Sequence, residues 1–244
     1  AGVNTHDVIR TGMIGFLEGA FVHGVFHGDL HGGNLLVLPD GRTGLLDFGI
    51  TGRLTDTEKQ AFMKMMMTAT MNDVTGQVEA LRDLGALPPD TNVREVIDVI
   101  GLDGPPVDPT KMTPDEMIGE LQRIMKALLG YGARMPKPLM LYVKNLIFID
   151  GAIATLAPDL DLFGEVTYIA THFFTKHGAT FANELGVDQK DWRMDLDGIK
   201  AGFGVDPTDM ESLSHSELQE RRAIINKRLA GENPLKSPLR KLGS

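Results

Sequence analysis

The stretch from Val25 to Ile50, VFHGDLHGGNLLVLPDGRTGLLDFGI, alternates short apolar runs with polar loops. The apolar run Leu35 to Leu38 is typical of a strand. Pro39-Asp40-Gly41 follows it and predicts a tight turn, because proline presets φ and glycine tolerates a positive φ. Leu45-Leu46 then leads into Asp47-Phe48-Gly49. The pattern therefore predicts a strand, a polar loop and a hairpin whose last strand ends at an Asp-Phe-Gly.

The predicted hairpin brings three oxygen-bearing side chains to one end of a small sheet. Asp29 and Asn34 lie in the polar loop, and Asp47 follows the last strand. Carboxylate and amide oxygens suit a hard cation such as Mg²⁺ better than Zn²⁺. The three side chains are therefore candidates for a Mg²⁺ site.

This arrangement resembles the catalytic core of protein-kinase-like phosphotransferases, in which an Asp is followed five positions later by an Asn and then by Asp-Phe-Gly. The resemblance implies that Asp29 is the catalytic residue, which orients or deprotonates the attacking hydroxyl. It also implies that Asn34 and Asp47 bind the Mg²⁺ that accompanies the phosphates of ATP. The predicted cofactor-binding set is His27, His31, Asn34, Asp47, Phe48 and Gly49.

Two of the seven histidines are predicted to have a role in the polar loop. His27 is expected to brace the loop through backbone hydrogen bonds, as the matching histidine does in kinase-like folds. His31 is expected either to shape the loop or to face the substrate. The others show no spacing typical of metal ligands and are assigned no role; they are His6, His23, His172, His177 and His215.

Two segments carry a closer resemblance, to the UbiB family of atypical kinases, which is linked to ubiquinone biosynthesis. Gly49 to Leu54 is similar to the family pattern L-L-D-F-G-x-x-G-R-L, and Lys144 to Phe163 is similar to the family's late helix. Gly28 and Gly32 replace the usual Ala and Pro of its H-A-D-x-H-P-G-N pattern. Gly28 slightly favours a resemblance to aminoglycoside and choline kinases. The resemblance covers about residues 5 to 175.

The resemblance implies a mainly α (α+β) fold, the C-terminal lobe of a protein-kinase-like protein, with a small β-hairpin that carries the catalytic loop and the Asp-Phe-Gly. Residues 1–185 are assigned to this lobe, and residues 186–244 to a polar extension with one amphipathic helix. The chain has no counterpart of the phosphate-covering loop, the strand lysine or the lysine-glycine-glutamine signature of an N-terminal lobe. We therefore expect an isolated C-terminal lobe, for which catalysis without an N-terminal lobe is uncertain.

Capping signals and helical spacing of apolar residues predict the helices. Gly12, Gly15 and Gly19 in the first helix indicate close packing on a neighbour, and the methionines between Met63 and Met71 are interpreted as adaptable core packing rather than a binding groove. Asp150 is expected to have a structural role. The predicted helices are Thr5 to Val22, capped by Thr5; Thr55 to Met71; Asp73 to Leu84; Val93 to Ile100; Thr113 to Leu129; Lys137 to Leu156; Leu162 to Phe174; and Glu217 to Leu229.

Composition excludes several classes of function. The 244 residues include no cysteine, so neither disulfides nor thiolate metal sites are possible. The net charge of −9 argues against a nucleic-acid binder. No run is expected to be long and apolar enough to span a membrane, and Leu139 to Leu156, which contains polar residues, is predicted to be a buried helix. We expect a cytoplasmic protein; its basic C-terminal end is either a solvated helix with a frayed tail or a peripheral contact with anionic lipid.

The sequence thus predicts a UbiB-like atypical kinase or ATPase lobe, with Mg²⁺ and ATP as cofactors and a small-molecule or lipid substrate. Its expected role is in isoprenoid-quinone or lipid metabolism. The segment after the Asp-Phe-Gly passes directly into a helix, without the A-P-E signature of protein kinases, so a protein substrate is disfavoured. Two alternatives stay open: a small-molecule phosphotransferase of the aminoglycoside or choline kinase type, and a non-catalytic binding module.

Overall fold

The computed structural model describes residues 3–39, 42–102, 104, 112–203, 205–206 and 213–230. Most of these residues are helical, and the strands form two antiparallel pairs, which confirms the predicted mainly α (α+β) class. Within the described ranges, the helices are α1 (Thr5–Phe21), α2 (Asp56–Thr70), α3 (Val74–Asp83), α4 (Val93–Ile100), α5 (Pro114–Gly130), α6 (Lys137–Leu156), α7 (Leu162–Leu185), α8 (Leu196–Gly202) and α9 (His215–Leu229). The strands are β1 (Val25–His27), β2 (Leu35–Val37), β3 (Thr43–Leu45) and β4 (Thr51–Arg53).

The two strand pairs enclose the polar loop and the Asp-Phe-Gly. β2 and β3 form the predicted hairpin, with Leu35 opposite Leu45. The tight turn predicted between these strands includes Asp40 and Gly41, which lie outside the described residues. The sequence did not indicate β4, which pairs with β1 so that His27 lies opposite Thr51. This second pair brings the chain after the Asp-Phe-Gly back beside the strand that precedes the loop.

Side-chain caps define most helix starts. Thr55 and Glu58 form the predicted capping box of α2, and Thr113 and Glu116 that of α5. Asn4, rather than the predicted Thr5, caps α1, because the Asn4 side chain accepts a hydrogen bond from the His6 backbone N–H. Such caps satisfy backbone donors that have no partner within the helix.

The main core is aromatic. Phe62 and Tyr142 contact each other, and each also contacts Phe21 and Phe26, with ring centroids 4.9–6.4 Å apart. Met63 is fully buried, and four other methionines of the cluster pack against this core, as the core-packing interpretation predicts: Met65, Met66, Met67 and Met71. The core therefore joins α1, β1, α2 and α6, the elements around the polar loop.

Helix α7 is longer than predicted, because it continues past Phe174 to Leu185. Gly178 does not break it. A Cβ at Gly178 would lie 2.4 Å from Nε2 of Gln189, so this glycine permits close packing of the next segment. Phe181 is fully buried and stacks on Trp192 at a centroid distance of 5.7 Å.

The described residues after Leu185 contact the rest of the fold. The Trp192 indole donates to the Thr70 hydroxyl at 2.9 Å, and α9 contacts α5 and α6, although all of its side chains except His215 stay exposed or half-buried. Arg221 donates to the Phe203 carbonyl and Arg228 to the Met112 carbonyl, which directs two of the basic side chains inward. The last basic residues lie outside the described ranges; they are Lys236, Arg240 and Lys241.

Helix α6 is long and apolar enough to cross a membrane by length and composition, with a mean hydropathy of 1.5 over 18 residues, so the expectation that no run reaches this length is wrong. The prediction of a buried helix holds for one face only, since 28% of that window is buried. The side chain of Asn145 is fully buried, whereas Ile147 is 68% exposed. One face of α6 thus belongs to the core and the other is exposed and apolar.

The predicted close packing of the α1 glycines occurs at Gly19 only. A Cβ at Gly19 would lie 2.8 Å from the Val25 carbonyl oxygen, whereas nothing lies within 4 Å at Gly12 or Gly15. We expect Gly19→Ala to lower the free energy of unfolding by about 1–3 kcal/mol, because β1 must shift. Gly12→Ala should raise it by about 0.5–1 kcal/mol, since alanine favours the helix. Urea unfolding measures both, and equal effects would contradict the observed packing.

Asp150 joins α6 to α9. Its carboxylate accepts hydrogen bonds from His215 Nε2 at 3.0 Å, Gln219 Nε2 at 3.2 Å and Arg222 Nη1 at 2.5 Å. Burial alone would raise the pKa of Asp150, but the hydrogen bond from His215 and the charge of Arg222 hold that pKa below its ordinary value of 3.8. The ionised form therefore stabilises the fold above pH 3.8, as the predicted structural role requires, and this contribution is lost as pH falls through the lowered pKa.

We expect Asp150→Asn to lower the free energy of unfolding by roughly 1–3 kcal/mol near neutral pH, because three donors lose a charged acceptor. The difference from the wild type should begin to shrink as pH falls below 3.8 and should vanish below the lowered pKa, where the folded wild-type carboxylate is itself protonated. Urea unfolding across this pH range measures it. Asp90→Asn, at an exposed position, is the matched control, and an equal loss in both variants would contradict the assigned role.

Candidate functional site

His27, the last residue of β1, joins the polar loop to the segment before Asp47. Its buried ring accepts a hydrogen bond from the Asp29 backbone N–H at Nδ1 (3.2 Å) and lies 3.0 Å from the Leu46 carbonyl at Nε2. Because a backbone N–H only donates and a carbonyl only accepts, His27 is held as the tautomer protonated at Nε2. These are the backbone hydrogen bonds that the sequence predicted for this histidine.

The loop itself closes in a short 3₁₀ turn, Gly32–Asn34. His31 begins the turn, and its Nδ1 accepts from the Gly33 N–H at 3.1 Å, so this exposed side chain shapes the loop. Asn34 is buried, and its Nδ2 donates to the Asp29 carbonyl at 3.2 Å. This bond uses the amide nitrogen within the loop and leaves Oδ1 as the atom of Asn34 that could bind a cation.

Asp47 follows Leu46, whose backbone N–H and carbonyl are both hydrogen-bonded to the polar loop. The Leu46 N–H donates to the Asn34 carbonyl at 2.9 Å, and the Leu46 carbonyl accepts from His27. Asp47 itself has a φ of 54°, a left-handed conformation that is uncommon outside glycine but tolerated by Asp. Its Oδ1 accepts from the Gly49 N–H at 3.1 Å. The surrounding hydrogen bonds thus fix a backbone conformation of the kind that clusters at functional sites.

Phe48 lies beside the same histidine. Its ring centroid is 5.1 Å from that of His27 in an edge-to-face arrangement, and the side chain is 55% exposed. Ile50 accepts a hydrogen bond from the Gly28 N–H at 2.9 Å. All the predicted site residues therefore lie on two segments, the loop and the Asp-Phe-Gly turn, that are directly hydrogen-bonded to each other.

Helix α6 supplies two residues that the sequence did not assign to the site. Asn145 accepts from the Leu30 N–H at 2.8 Å and donates to the His27 carbonyl at 2.5 Å, so one buried amide holds both ends of the segment that contains Asp29. Lys144 places Nζ 2.5 Å from Oδ1 of Asp29. This hydrogen bond and the positive charge lower the pKa of Asp29.

The sequence offered one weak signal for these two residues. They open the segment Lys144 to Phe163, whose similarity to the family's late helix was recognised, but nothing in that similarity connects them to the loop. The contacts span 115 positions in the chain, so no local spacing could reveal them.

A cleft of about 800 Å³ lies between α1, the two strand pairs and α6. Gly12 and Gly15 form part of its floor, and His27, Gly32 and Phe48 place the cleft directly beside the loop. Most of the other side chains along it are apolar. The cleft can therefore accept an apolar group next to the candidate catalytic residues.

Residues 1–81 match the model of the ABC1 atypical kinase-like domain. This match covers the whole of the loop, both strand pairs and the Asp-Phe-Gly, so this part of the chain is similar to an atypical kinase-like domain, which is consistent with the resemblance to UbiB-family atypical kinases.

An uncharacterized protein of Synechocystis sp. (strain ATCC 27184 / PCC 6803 / Kazusa), slr1919, is 27% identical to this chain over 176 residues. The aligned region covers 69% of this chain and 30% of the relative, so the chain spans less than a third of the length of that curated protein. No solved structure matches.

Replacement of Asn145 tests how the loop is held. We expect Asn145→Ala to lower the free energy of unfolding by roughly 2–4 kcal/mol, because the Leu30 N–H and the His27 carbonyl both lose their partner in a buried position. The Leu30 amide should also exchange its hydrogen faster. Urea unfolding and hydrogen exchange measure the two effects. Ile147→Ala, at the exposed face of the same helix, is the control, and unchanged exchange at Leu30 would contradict the assignment.

Proposed function

We propose that this chain is the C-terminal lobe of a UbiB-like atypical kinase or ATPase that acts on Mg²⁺–ATP. The observation that carries the proposal is the hydrogen-bonded unit formed by His27, Leu46 and Asn34, which holds the loop of Asp29 against the backbone of Asp47. The match over residues 1–81 supports a kinase-like class for this unit.

The donor atoms fit Mg²⁺. Asn34 has committed its amide nitrogen, which leaves an oxygen, and Asp47 uses one carboxylate oxygen for the Gly49 N–H, which leaves the other. Hard oxygen ligands with waters in the remaining positions are the usual environment of Mg²⁺ beside phosphates. Asn34 and Asp47 would hold the ion, whose charge would offset that of the ATP phosphates.

Asp29 would position the attacking oxygen. If that oxygen belongs to water the reaction is ATP hydrolysis, and if it belongs to a substrate hydroxyl the product is a phosphate ester. The neighbouring Lys144 lowers the pKa of Asp29 and so favours the ionised carboxylate, the form that accepts a hydrogen bond from the attacking hydroxyl. Lys144 also provides a positive charge beside the point of transfer.

A small-molecule or lipid substrate, rather than a protein, suits the surroundings. Helix α2 begins at Asp56, with two residues between it and β4, so residues 50–55, all of them described, leave no room for a separate activation segment between the Asp-Phe-Gly and this helix. The apolar cleft beside the loop would accept a hydrophobic group of the substrate. We propose a role in isoprenoid-quinone or lipid metabolism on this basis, with the protein in the cytoplasm or peripheral to a membrane.

The aminoglycoside or choline kinase alternative loses part of its support. It was favoured by Gly28, but a Cβ at Gly28 would lie 2.8 Å from Cγ2 of Ile50. The glycine is therefore explained by its close approach to the segment after the Asp-Phe-Gly, whatever the substrate. Only a measurement of activity distinguishes the proposed enzyme from the alternative of a non-catalytic binding module.

Replacement of Asp47 tests the proposed metal site. In the complete protein that contains this lobe, Asp47→Asn is expected to abolish Mg²⁺-dependent ATP turnover, because the amide lacks the negative charge that holds the ion. Phosphate release and phosphate-ester formation measure the two forms of turnover. Asp56→Asn, the same change at an exposed position on α2, should leave turnover unaltered.

Wild-type turnover in the Asp47→Asn variant would refute the metal-site assignment. ATP binding by a wild-type protein that neither hydrolyses nor transfers phosphate would instead support the non-catalytic alternative.

A further inference from the structure

Two histidines that the sequence left without a role converge on one carboxylate. His172 and His177 on α7 place their Nε2 atoms 3.0 Å and 2.8 Å from the same oxygen, Oε1 of Glu18 on α1. The three atoms lie within 4.8 Å of one another. Glu18 is more than 150 positions from either histidine, and the histidines are five residues apart, so neither helical i, i+4 spacing nor sequence proximity indicated the cluster.

The cluster is held on two helices, and its rings are fixed by packing. The His177 side chain is 13% exposed, and its ring lies against Phe173 and Phe181 at centroid distances of 5.6 Å and 6.4 Å. The His172 ring also contacts Phe173, at 5.7 Å. Ligands that are supported in this way by regular elements keep a defined geometry. The Glu18 side chain is 19% exposed, so solvent reaches the cluster from one side.

Two imidazole nitrogens and a carboxylate oxygen are a donor set that first-row divalent metal ions such as Zn²⁺ bind. Zn–N and Zn–O bonds of about 2.0–2.1 Å place the ligand atoms of a tetrahedral ion roughly 3.3 Å apart. The separations of 2.8 Å and 3.0 Å from Glu18 would need to widen by only a few tenths of an ångström. We propose that Glu18, His172 and His177 form a site for a divalent transition-metal ion, with the fourth position open to water.

Lys176 would compete with a metal ion for Glu18. Its Nζ lies 2.9 Å from the same Glu18 oxygen, but its side chain is 57% exposed and can move into solvent. Metal binding therefore exchanges one positive partner of Glu18 for another. This competition separates the proposal from a purely structural cluster: removal of the lysine should strengthen a metal site, whereas it would only weaken an ion-pair network.

The site is independent of the proposed phosphotransfer chemistry. Its ligands lie on α1 and α7, and none belongs to the loop, the Asp-Phe-Gly turn or α6. The predicted Mg²⁺ site uses oxygen atoms only, so the two sites differ in the ions they favour. Either can fail while the other holds.

The test is a Zn²⁺ titration of the chelator-treated protein, by calorimetry and by competition with a chromophoric chelator. The wild type should bind one Zn²⁺ at this cluster, and His177→Gln should weaken that binding by at least about tenfold. Lys176→Gln should tighten it severalfold. His23→Gln and His31→Gln, both at exposed positions, should leave the affinity unchanged.

A measurement on the wild type removes any dependence on how the variants fold. Imidazole nitrogen NMR signals of His172 and His177 should move on addition of Zn²⁺, and that of His23 should not. The proposal is wrong if Zn²⁺ leaves the two signals in place, if His31→Gln rather than His177→Gln abolishes binding, or if Lys176→Gln weakens binding.

Discussion

The buried amide of Asn145 is the constraint on which the candidate site depends. It binds the carbonyl of His27 and the N–H of Leu30, the residues on either side of the pair that includes Asp29. Both bonds lie where water does not compete, and either backbone group would be costly to leave unpaired there. A short polar loop therefore takes its position from a helix more than a hundred residues later in the chain. The loop is as rigid as the packing of α6 on the aromatic core.

From this anchor the hydrogen bonds continue to the Asp-Phe-Gly. The His27 carbonyl accepts the hydrogen bond from Asn145, and the His27 ring is hydrogen-bonded to the Leu46 carbonyl. Asn34 closes the loop through its side chain, and its carbonyl accepts a hydrogen bond from the Leu46 N–H. The two strand pairs are only three residues per strand, too short to fix the geometry by themselves. The side-chain bonds of His27 and Asn34 supply what the short ladders lack. Asp29, Asn34 and Asp47 are thus held by one connected network rather than by three separate loops.

The sequence predicted what is local and missed what is long-range. The capping boxes, the hairpin and the loop-shaping contact of His31 join residues that are close in the chain, and the described residues show those contacts. The bracing role of His27 is implied by the resemblance, and its ring reaches Leu46, 19 positions away. Lys144 and Asn145 depend on how α6 packs against the loop, and no periodicity encodes that. Helix α7 was ended too early because Gly178 and polar neighbours weaken the apolar pattern, although the fully buried Phe181 continues the core. Tertiary packing, rather than local propensity, determines both the contacts of α6 with the loop and the length of α7.

The contact between Lys144 and Asp29 has a reason other than stability. Both side chains are partly exposed, and ion pairs in such positions contribute little to the free energy of folding because solvent screens them. Asn145, the next residue, already holds the loop on α6 through two hydrogen bonds, so the position of the loop does not depend on the lysine. What the lysine does change is the local potential: it lowers the pKa of Asp29 and sets a cation beside the carboxylate. Helix α6 therefore positions the loop through Asn145 and places a positive charge beside it through Lys144.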